Sequence, residues 1–221
     1  MARPVLTRLL TAAVVRGDGV DDVMISGTAP SIAAKVNAAA LLAVVCLWSI
    51  AAQAQMASAT PKVGDKAADF TLQSLDGATV QLSKELGRGP VVLVVLRGWP
   101  GYQCPFCTRQ FGDYLTNAEK LEKSGARILF VYPGPSEGLK QHAEAFTASR
   151  SIPAGFRILL DSDYTFTNVY GLRWDAPQET AYPSTFVLDR KGVVTFAHTS
   201  REHGDRVTAE AVLKALVESQ R

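Results

Sequence analysis

Residues 90–107 read PVVLVVLRGWPGYQCPFC, an apolar run followed by a short loop and two cysteines. The run Pro90–Leu96 is almost entirely valine and leucine, the composition of a strand buried on both faces of a sheet. After Cys107, apolar side chains recur every three or four residues to about Lys123, which indicates an amphipathic helix. The stretch therefore predicts a buried strand, a loop and a helix, with Cys104 and Cys107 at the start of the helix.

The Cys-Pro-Phe-Cys motif is placed as a redox-active dithiol would be. At a helix N-terminus, free N–H groups and the helix dipole favour an anion, here the Cys104 thiolate. The thiolate is the reactive form of cysteine, and such sites lower its pKa from about 8.5 by one to several units. Pro105 suits the first helical position, because its missing N–H would have no partner there. Cys104 and Cys107 are the candidate catalytic residues, and their spacing allows a disulfide between them.

Two other interpretations of the cysteine pair stay open. A structural zinc site needs four Cys or His ligands, and the chain adds to the pair only the scattered histidines His142, His198 and His203. We expect no metal and no catalytic role for these histidines. A purely structural disulfide is the second alternative, although a bridge that closes so short a loop constrains the unfolded chain little.

Strands and helices alternate on both sides of the motif. Further strands are predicted at Phe70–Leu72, Thr79–Leu82, Arg127–Tyr132, Phe156–Leu160, Thr185–Leu188 and Val193–Ala197. Further helices are predicted from Ser136, as the capping residue, to about Ser149, over Asp163–Tyr170 and over Thr208–Glu218. The first two strands flank the turn Asp76–Gly77 as a hairpin. The expected fold is α/β, with a mixed central sheet, helices on both faces and an N-terminal β-hairpin.

The first 54 residues predict a cleaved export signal. The apolar run Ala38–Ala52 follows Lys35 and ends at Ala52–Gln53–Ala54, a small-residue cleavage site. The run is shorter than the roughly 20 residues of a spanning helix, so a membrane anchor is the less favoured alternative. Acidic residues ahead of Met24 are atypical of a signal peptide, and translation from Met24 would give a more ordinary one. We expect an exported, periplasmic protein.

The composition limits the class of protein. The 221 residues are 47 % hydrophobic and 20 % charged, with a formal net charge of +2, which favours one domain with a buried core and gives no nucleic-acid footprint. Three cysteines are too few for a disulfide scaffold. Cys46 lies in the predicted signal, so Cys104 and Cys107 are the only thiols expected after processing. Residues 55–61 predict a flexible lead-in and residues 62–221 the folded domain.

A proline and several aromatic residues accompany the motif. Pro183 precedes the predicted strand Thr185–Leu188; it is either a simple strand-start proline or a cis proline that holds the loop beside the dithiol. Trp99, Tyr102 and Tyr182 are candidates for an apolar substrate rim, with ordinary packing as the alternative.

Five segments follow one another in a familiar order: Val63–Leu72, Val91–Leu96, the Cys104–Cys107 loop, Leu160–Gly171 and Pro183–Gly192. Together they resemble the alkyl hydroperoxide reductase/thiol-specific antioxidant family, the redoxin branch of the thioredoxin superfamily, over about residues 62–218. The resemblance implies a thioredoxin-like fold and a thiol-dependent antioxidant enzyme without metal or organic cofactor. It also implies a protein disulfide or hydroperoxide as substrate and an external thiol reductant, and it favours a cis Pro183.

The resemblance leaves open how the two thiols divide their work. In a thioredoxin-like mechanism, Cys104 attacks a substrate disulfide and Cys107 resolves the mixed disulfide. In a peroxiredoxin-like mechanism, the family pattern Pro-x-x-x-Thr/Ser-x-x-Cys makes Cys107 peroxidatic, seven residues after Pro100, with Cys104 resolving. Arg97 and Arg173 are candidates for the arginine that polarises the peroxide in that family. A non-enzymatic module with a structural disulfide is a third alternative, and we favour the first, an exported thiol–disulfide oxidoreductase.

Overall fold

The computed structural model describes residues 59–219. The predicted signal peptide (1–54), the alternative start at Met24 and most of the lead-in lie outside the described residues. No helix within residues 59–219 is long and apolar enough to cross a membrane.

In the described part of the chain, seven strands form one mixed sheet, in the order β2-β1-β5-β4-β3-β6-β7. Their bounds are β1 Thr71–Ser74, β2 Thr79–Gln81, β3 Val91–Val95, β4 Arg127–Gly134, β5 Phe156–Ser162, β6 Ser184–Leu188 and β7 Val194–Thr199. β4 pairs in parallel with β3 and β5, and the remaining pairs are antiparallel. The mixed α/β sheet and the N-terminal hairpin of β1 and β2 agree with the prediction from sequence.

Within residues 59–219, six helices cover the two faces of the sheet. They are α1 Leu82–Leu86, α2 Pro105–Thr116, α3 Ala118–Lys123, α4 Leu139–Thr147, α5 Thr165–Val169 and α6 Ala209–Glu218. Alternate residues of β3 point to opposite faces, so Val92 and Val94 pack in one apolar cluster with α2, α3, α4 and α6. Val91 and Leu93 pack in the other cluster, with α1 and α5. Every residue of β3 is fully buried, as its composition predicts.

Three local predictions were wrong. The long helix after the motif breaks at Asn117, whose φ of −100° and ψ of 12° are not helical. Leu82 begins α1 rather than ending a strand. Ser136 is not a helix cap, because the N-cap of α4 is Gly138, whose φ of 70° only glycine adopts readily; the backbone N–H of Ser136 donates to Asp163 Oδ1.

The prediction of a cis Pro183 was also wrong, because the described residues contain no cis peptide bond. Pro183 is buried and directly precedes β6, where a trans proline is tolerated because the first residue of a strand need not donate to the ladder. Ser184 pairs with Val95, so Pro183 lies across from the point where the chain leaves β3 for the cysteine loop.

Candidate active site

The cysteine pair lies where β3 feeds into α2. Cys104 is the N-cap of α2, with an extended backbone (φ −69°, ψ 116°), and Pro105 occupies the first helical turn. Both cysteines are free thiols, and both are buried at 1 % exposure. The predicted position of Cys104 at the helix N-terminus is therefore what the structure shows.

The surroundings of Cys104 favour its thiolate. A hydrogen bond from the Cys107 side chain is the largest influence, and together with the N–H groups of Cys107 and Phe106 and the Arg206 charge it outweighs burial and lowers the pKa of Cys104 to about 5. The N–H groups of Phe106 and Cys107 are free donors of the kind that a helix N-terminus offers an anion. Cys104 can therefore exist as a thiolate at neutral pH.

Cys107 has the opposite character. Burial is the main reason why the pKa of Cys107 is raised well above the usual 9.0, and the hydrogen bond to the Cys104 thiolate and its negative charge raise it further. Its Sγ lies 3.3 Å from the backbone N of Arg97. At neutral pH, Cys107 is the protonated partner that donates to Cys104.

An arginine from a distant loop contacts both sulfurs. Nη2 of Arg206 lies 3.9 Å from Cys104 Sγ and 3.8 Å from Cys107 Sγ. The other guanidinium nitrogens, Nε and Nη1, are buried without a hydrogen-bond partner among the described residues. Arg206 as a whole is half-buried, and guanidinium nitrogens shielded from water without a carboxylate partner are costly unless an anion balances them. The Cys104 thiolate is the anion that Arg206 contacts.

A second arginine, Arg97, follows β3 near Cys107 and takes part in a contact that joins three loops. Arg97 is 2 % exposed, and its Nε donates to Glu179 at 2.6 Å. The same carboxylate contacts Nε2 of His203 at 2.8 Å, so the loops that follow β3, precede β6 and follow β7 meet at Glu179. Burial alone would lower the pKa of Arg97, but its bonds to Glu179 and to the Tyr102 hydroxyl raise it. His203 and Arg206 share one loop, so the contact with Glu179 also restrains the segment that carries Arg206.

The other candidates from the sequence have supporting positions. Trp99 stacks on His142, with ring centroids 3.6 Å apart, and Tyr102 is 42 % exposed. Tyr182 stacks on Trp174, and Arg173 donates to carbonyls of the same loop. Among the described hydrogen bonds and ion pairs, those of Arg173 and Tyr182 do not reach the sulfurs. Pro100 lies half-buried in the loop that leads to Cys104.

Sequence reasoning missed Arg206, Glu179 and His203. No motif marks them, and Arg206 is 102 positions from Cys104 along the chain. Within residues 59–219, no cluster of three His, Cys, Asp or Glu side chains could hold a metal ion. The chemistry that the arrangement offers is the interconversion of two thiols and one disulfide.

A model of the AhpC/TSA family matches residues 63–197. The chain belongs to this family. It is 30 % identical over 144 residues to chloroplastic peroxiredoxin Q of Triticum aestivum, a match that covers 65 % of this chain and 62 % of that protein. It is also 30 % identical over 138 residues to peroxiredoxin Q of Populus jackii, covering 62 % of this chain and 60 % of that one. The chain thus spans about three fifths of these relatives.

Solved structures share the fold of this AhpC/TSA chain. Peroxidoxin BcpB of Mycobacterium tuberculosis superposes with a TM-score of 0.57 at 24 % identity, over 72 % of this chain and 97 % of that one. A yeast mitochondrial 1-Cys peroxiredoxin gives a TM-score of 0.60 at 17 % identity, over 72 % and 76 %. The thioredoxin-like fold predicted from the sequence is confirmed. Arg206 lies beyond the segment that the family model matches.

Proposed function

We propose that this AhpC/TSA-family chain is a thiol–disulfide oxidoreductase in which Cys104 attacks and Cys107 resolves. The observation that carries the proposal is the position of Cys104 as the N-cap of α2 with Arg206 at its sulfur. The opposite directions of the two pKa values, lowered for Cys104 and raised for Cys107, agree with this geometry. A thiolate at neutral pH attacks disulfides, whereas a protonated neighbour can be activated later. Export to the periplasm remains a prediction from residues 1–54.

The proposed reaction has two steps. The Cys104 thiolate attacks one sulfur of a substrate disulfide, forms a mixed disulfide and expels the other sulfur as a thiolate. Cys107 then loses its proton, attacks the Cys104 sulfur and expels the second substrate thiol. The protein dithiol is oxidised by two electrons and the substrate is reduced to two thiols, so an external thiol reductant must restore the dithiol.

The protein's own groups support each step. The helix N-terminus and Arg206 hold the Cys104 thiolate before attack. Once Cys104 is in the mixed disulfide, its negative charge is gone, so one of the influences that raise the pKa of Cys107 is removed, although burial, the largest one, stays. Both sulfurs are buried, so a disulfide substrate reaches Cys104 only when groups that cover the sulfur move aside.

A thiol peroxidase is the second candidate. The spacing of Pro100 and Cys107 and the peroxiredoxin relatives favour it. In that reaction the Cys107 thiolate would attack a hydroperoxide, take up one oxygen as sulfenic acid and release an alcohol or water. Cys104 would then condense with the sulfenic acid, releasing water and forming the same disulfide.

Single cysteine variants separate the two candidates. Cys107→Ser, treated with a neutral disulfide, should accumulate a stable mixed disulfide on Cys104, detected by mass, and Cys104→Ser should not. If Cys104→Ser instead forms sulfenic acid at Cys107 with stoichiometric hydroperoxide much faster than a free thiol does, the peroxidase is correct. Inertness of both variants in both assays would reject both candidates.

A further inference from the structure

A cleft of about 310 Å³ lies beside the dithiol, between α2 and the segment before α6. Phe106, Arg109, Gln110 and Asp113 line it on the helix side, and residues 204 and 206–208 line the other side. Phe106 stands between the two cysteines in the motif, and Arg206 contacts both sulfurs. The cleft therefore adjoins the dithiol through Phe106 and Arg206, and its volume suits one small organic group.

The polar groups of the cleft are unevenly satisfied. Arg109 is exposed and lies over the Phe106 ring, 5.3 Å from its centroid. Neither Arg109 nor Arg206 forms an ion pair with a carboxylate of the described residues. Gln110 is 6 % exposed, and its Oε1 is a buried acceptor without a described partner. The cleft thus combines an aromatic surface, two cations without carboxylate partners and an unused acceptor.

The single carboxylate of the cleft is already engaged. Asp113 Oδ2 accepts the backbone N–H of Ala209 at 2.7 Å, and Oδ1 accepts the Asn117 amide at 3.2 Å. Ala209 is the first residue of α6, whose N-terminal dipole offsets part of the negative charge. Because Arg206 faces the Cys104 thiolate, Arg109 is the cation of the cleft that no described anion offsets in the reduced protein. When the thiolate charge is lost, Arg206 adds a second positive charge, and the two arginines favour an anionic ligand.

We propose that this cleft binds the carboxylate-bearing arm of a small organic disulfide substrate. The inference rests on the proposed function, because the arm must be attached to the sulfur that Cys104 attacks. Before attack, Arg206 faces the Cys104 thiolate; when the mixed disulfide forms, the negative charge leaves with the expelled thiolate. Arg206 is then free for the substrate carboxylate, while Arg109 steers the anion from the rim and Phe106 contacts its apolar part.

The test compares three symmetrical alkyl disulfides of similar size and different charge. Reduced protein is mixed with dithiodipropionate, bis(hydroxyethyl) disulfide or cystamine. Each rate of dithiol oxidation is divided by the rate at which 2-mercaptoethanol reacts with the same disulfide. We expect the normalised rate for the anionic disulfide to exceed that for the cationic one by about fivefold, the scale of one well-placed ion pair. Raising the salt concentration should shrink the ratio, because the rim charge is exposed.

Matched arginine variants locate the preference. Arg109→Gln should lower the anion-to-cation ratio about threefold, and Arg190→Gln, which removes an equal charge from the exposed turn after β6, should leave the ratio unchanged. A normalised anion-to-cation ratio of about one, or a ratio that Arg109→Gln does not alter, overturns the inference. In that case fast reaction with the neutral disulfide would still uphold the proposed function. No acceleration with any of the three disulfides overturns the proposed function and the inference with it.

Discussion

The hydrogen bond between the two thiols is the largest influence on the pKa of Cys104. A pair of substitutions at Cys107 tests it. Cys107→Ser keeps a hydroxyl that can donate to the Cys104 thiolate, whereas Cys107→Ala removes the donor. We expect the pKa of Cys104 to be about one to two units higher in Cys107→Ala than in Cys107→Ser, the value of a hydrogen bond to a charged group. Thiolate absorbance across a pH titration measures both values.

Equal pKa values in the two variants would show that the helix N-terminus and Arg206 alone hold the thiolate. Circular dichroism provides the control, because both variants must fold like the parent chain. At this scale the sequence predicted well what depends on local geometry, namely Cys104 at the helix start and Pro105 after it. It could not predict Arg206, whose proximity to the sulfurs arises only when the segment after β7 folds back over α2.

At the scale of the elements, the loop between β3 and α2 is constrained by its first glycine. Gly98 has φ +64°, and a Cβ there would overlap the backbone of Pro133 in β4. Gly101 in the same loop also has a positive φ, +104°, but a Cβ would meet no atom within 4 Å. Gly101→Ala should therefore cost only backbone strain, about 1 kcal/mol, and Gly98→Ala at least twice as much. Urea unfolding of the reduced variants measures the difference, and equal losses would mean that β4 yields to the new methyl group.

The three loops that meet at Glu179 provide a second prediction for the elements. Glu179→Gln keeps the shape of the side chain but leaves the Arg97 charge buried without its carboxylate, which should cost about 3 kcal/mol of stability. It also weakens the contact with His203, so we expect Arg206 to be held less firmly and the pKa of Cys104 to rise. The pKa is the decisive measurement, because loss of stability alone would accompany any buried defect. Asp175→Asn is the control, since Asp175 lies in the same loop but is 93 % exposed.

An unchanged Cys104 pKa in folded Glu179→Gln would show that Arg206 is positioned without this contact. The sequence predicted the strands that lead into these loops but not how the loops meet. Arg97 and Glu179 are 82 positions apart, and no periodicity connects them. The helix break at Asn117 was missed because the hydrophobic spacing continues through it while the backbone angles do not. The start of α4 was misplaced because serine is a frequent N-cap, whereas the helix begins after the left-handed Gly138.

For the whole molecule, the sheet and its buried central strand could be predicted, because continuous runs of valine and leucine indicate strands that are buried on both faces. The order of the strands could not be derived from those runs, since it depends on which faces the helices cover. The antiparallel placement of β6 beside β3 is what brings Pro183 and the loop of Glu179 to the same end of the sheet as the cysteines. The candidate site is thus a product of topology as much as of the motif.

The depressed pKa of Cys104 also makes the stability of the whole fold depend on pH and redox state. The folded pKa is about 5 and the usual value is 9.0, so between these limits the unfolded thiol binds a proton that the folded thiolate does not. The stability of the reduced protein should therefore rise with pH across this window, and the contribution of the Cys104 thiolate is lost as the pH falls through about 5. Above about pH 9 the trend reverses, because the unfolded Cys107 loses a proton that the folded Cys107, with its raised pKa, still keeps.

The oxidised protein is the control for this pH dependence, because a disulfide does not titrate and all other groups contribute to both states. We expect the free energy of unfolding of the reduced form, minus that of the oxidised form, to increase from pH 5 to pH 9 in urea titrations. A difference that stays constant over this range would mean that Cys104 is not a thiolate in the folded protein, and the proposed attacking role would lose its basis.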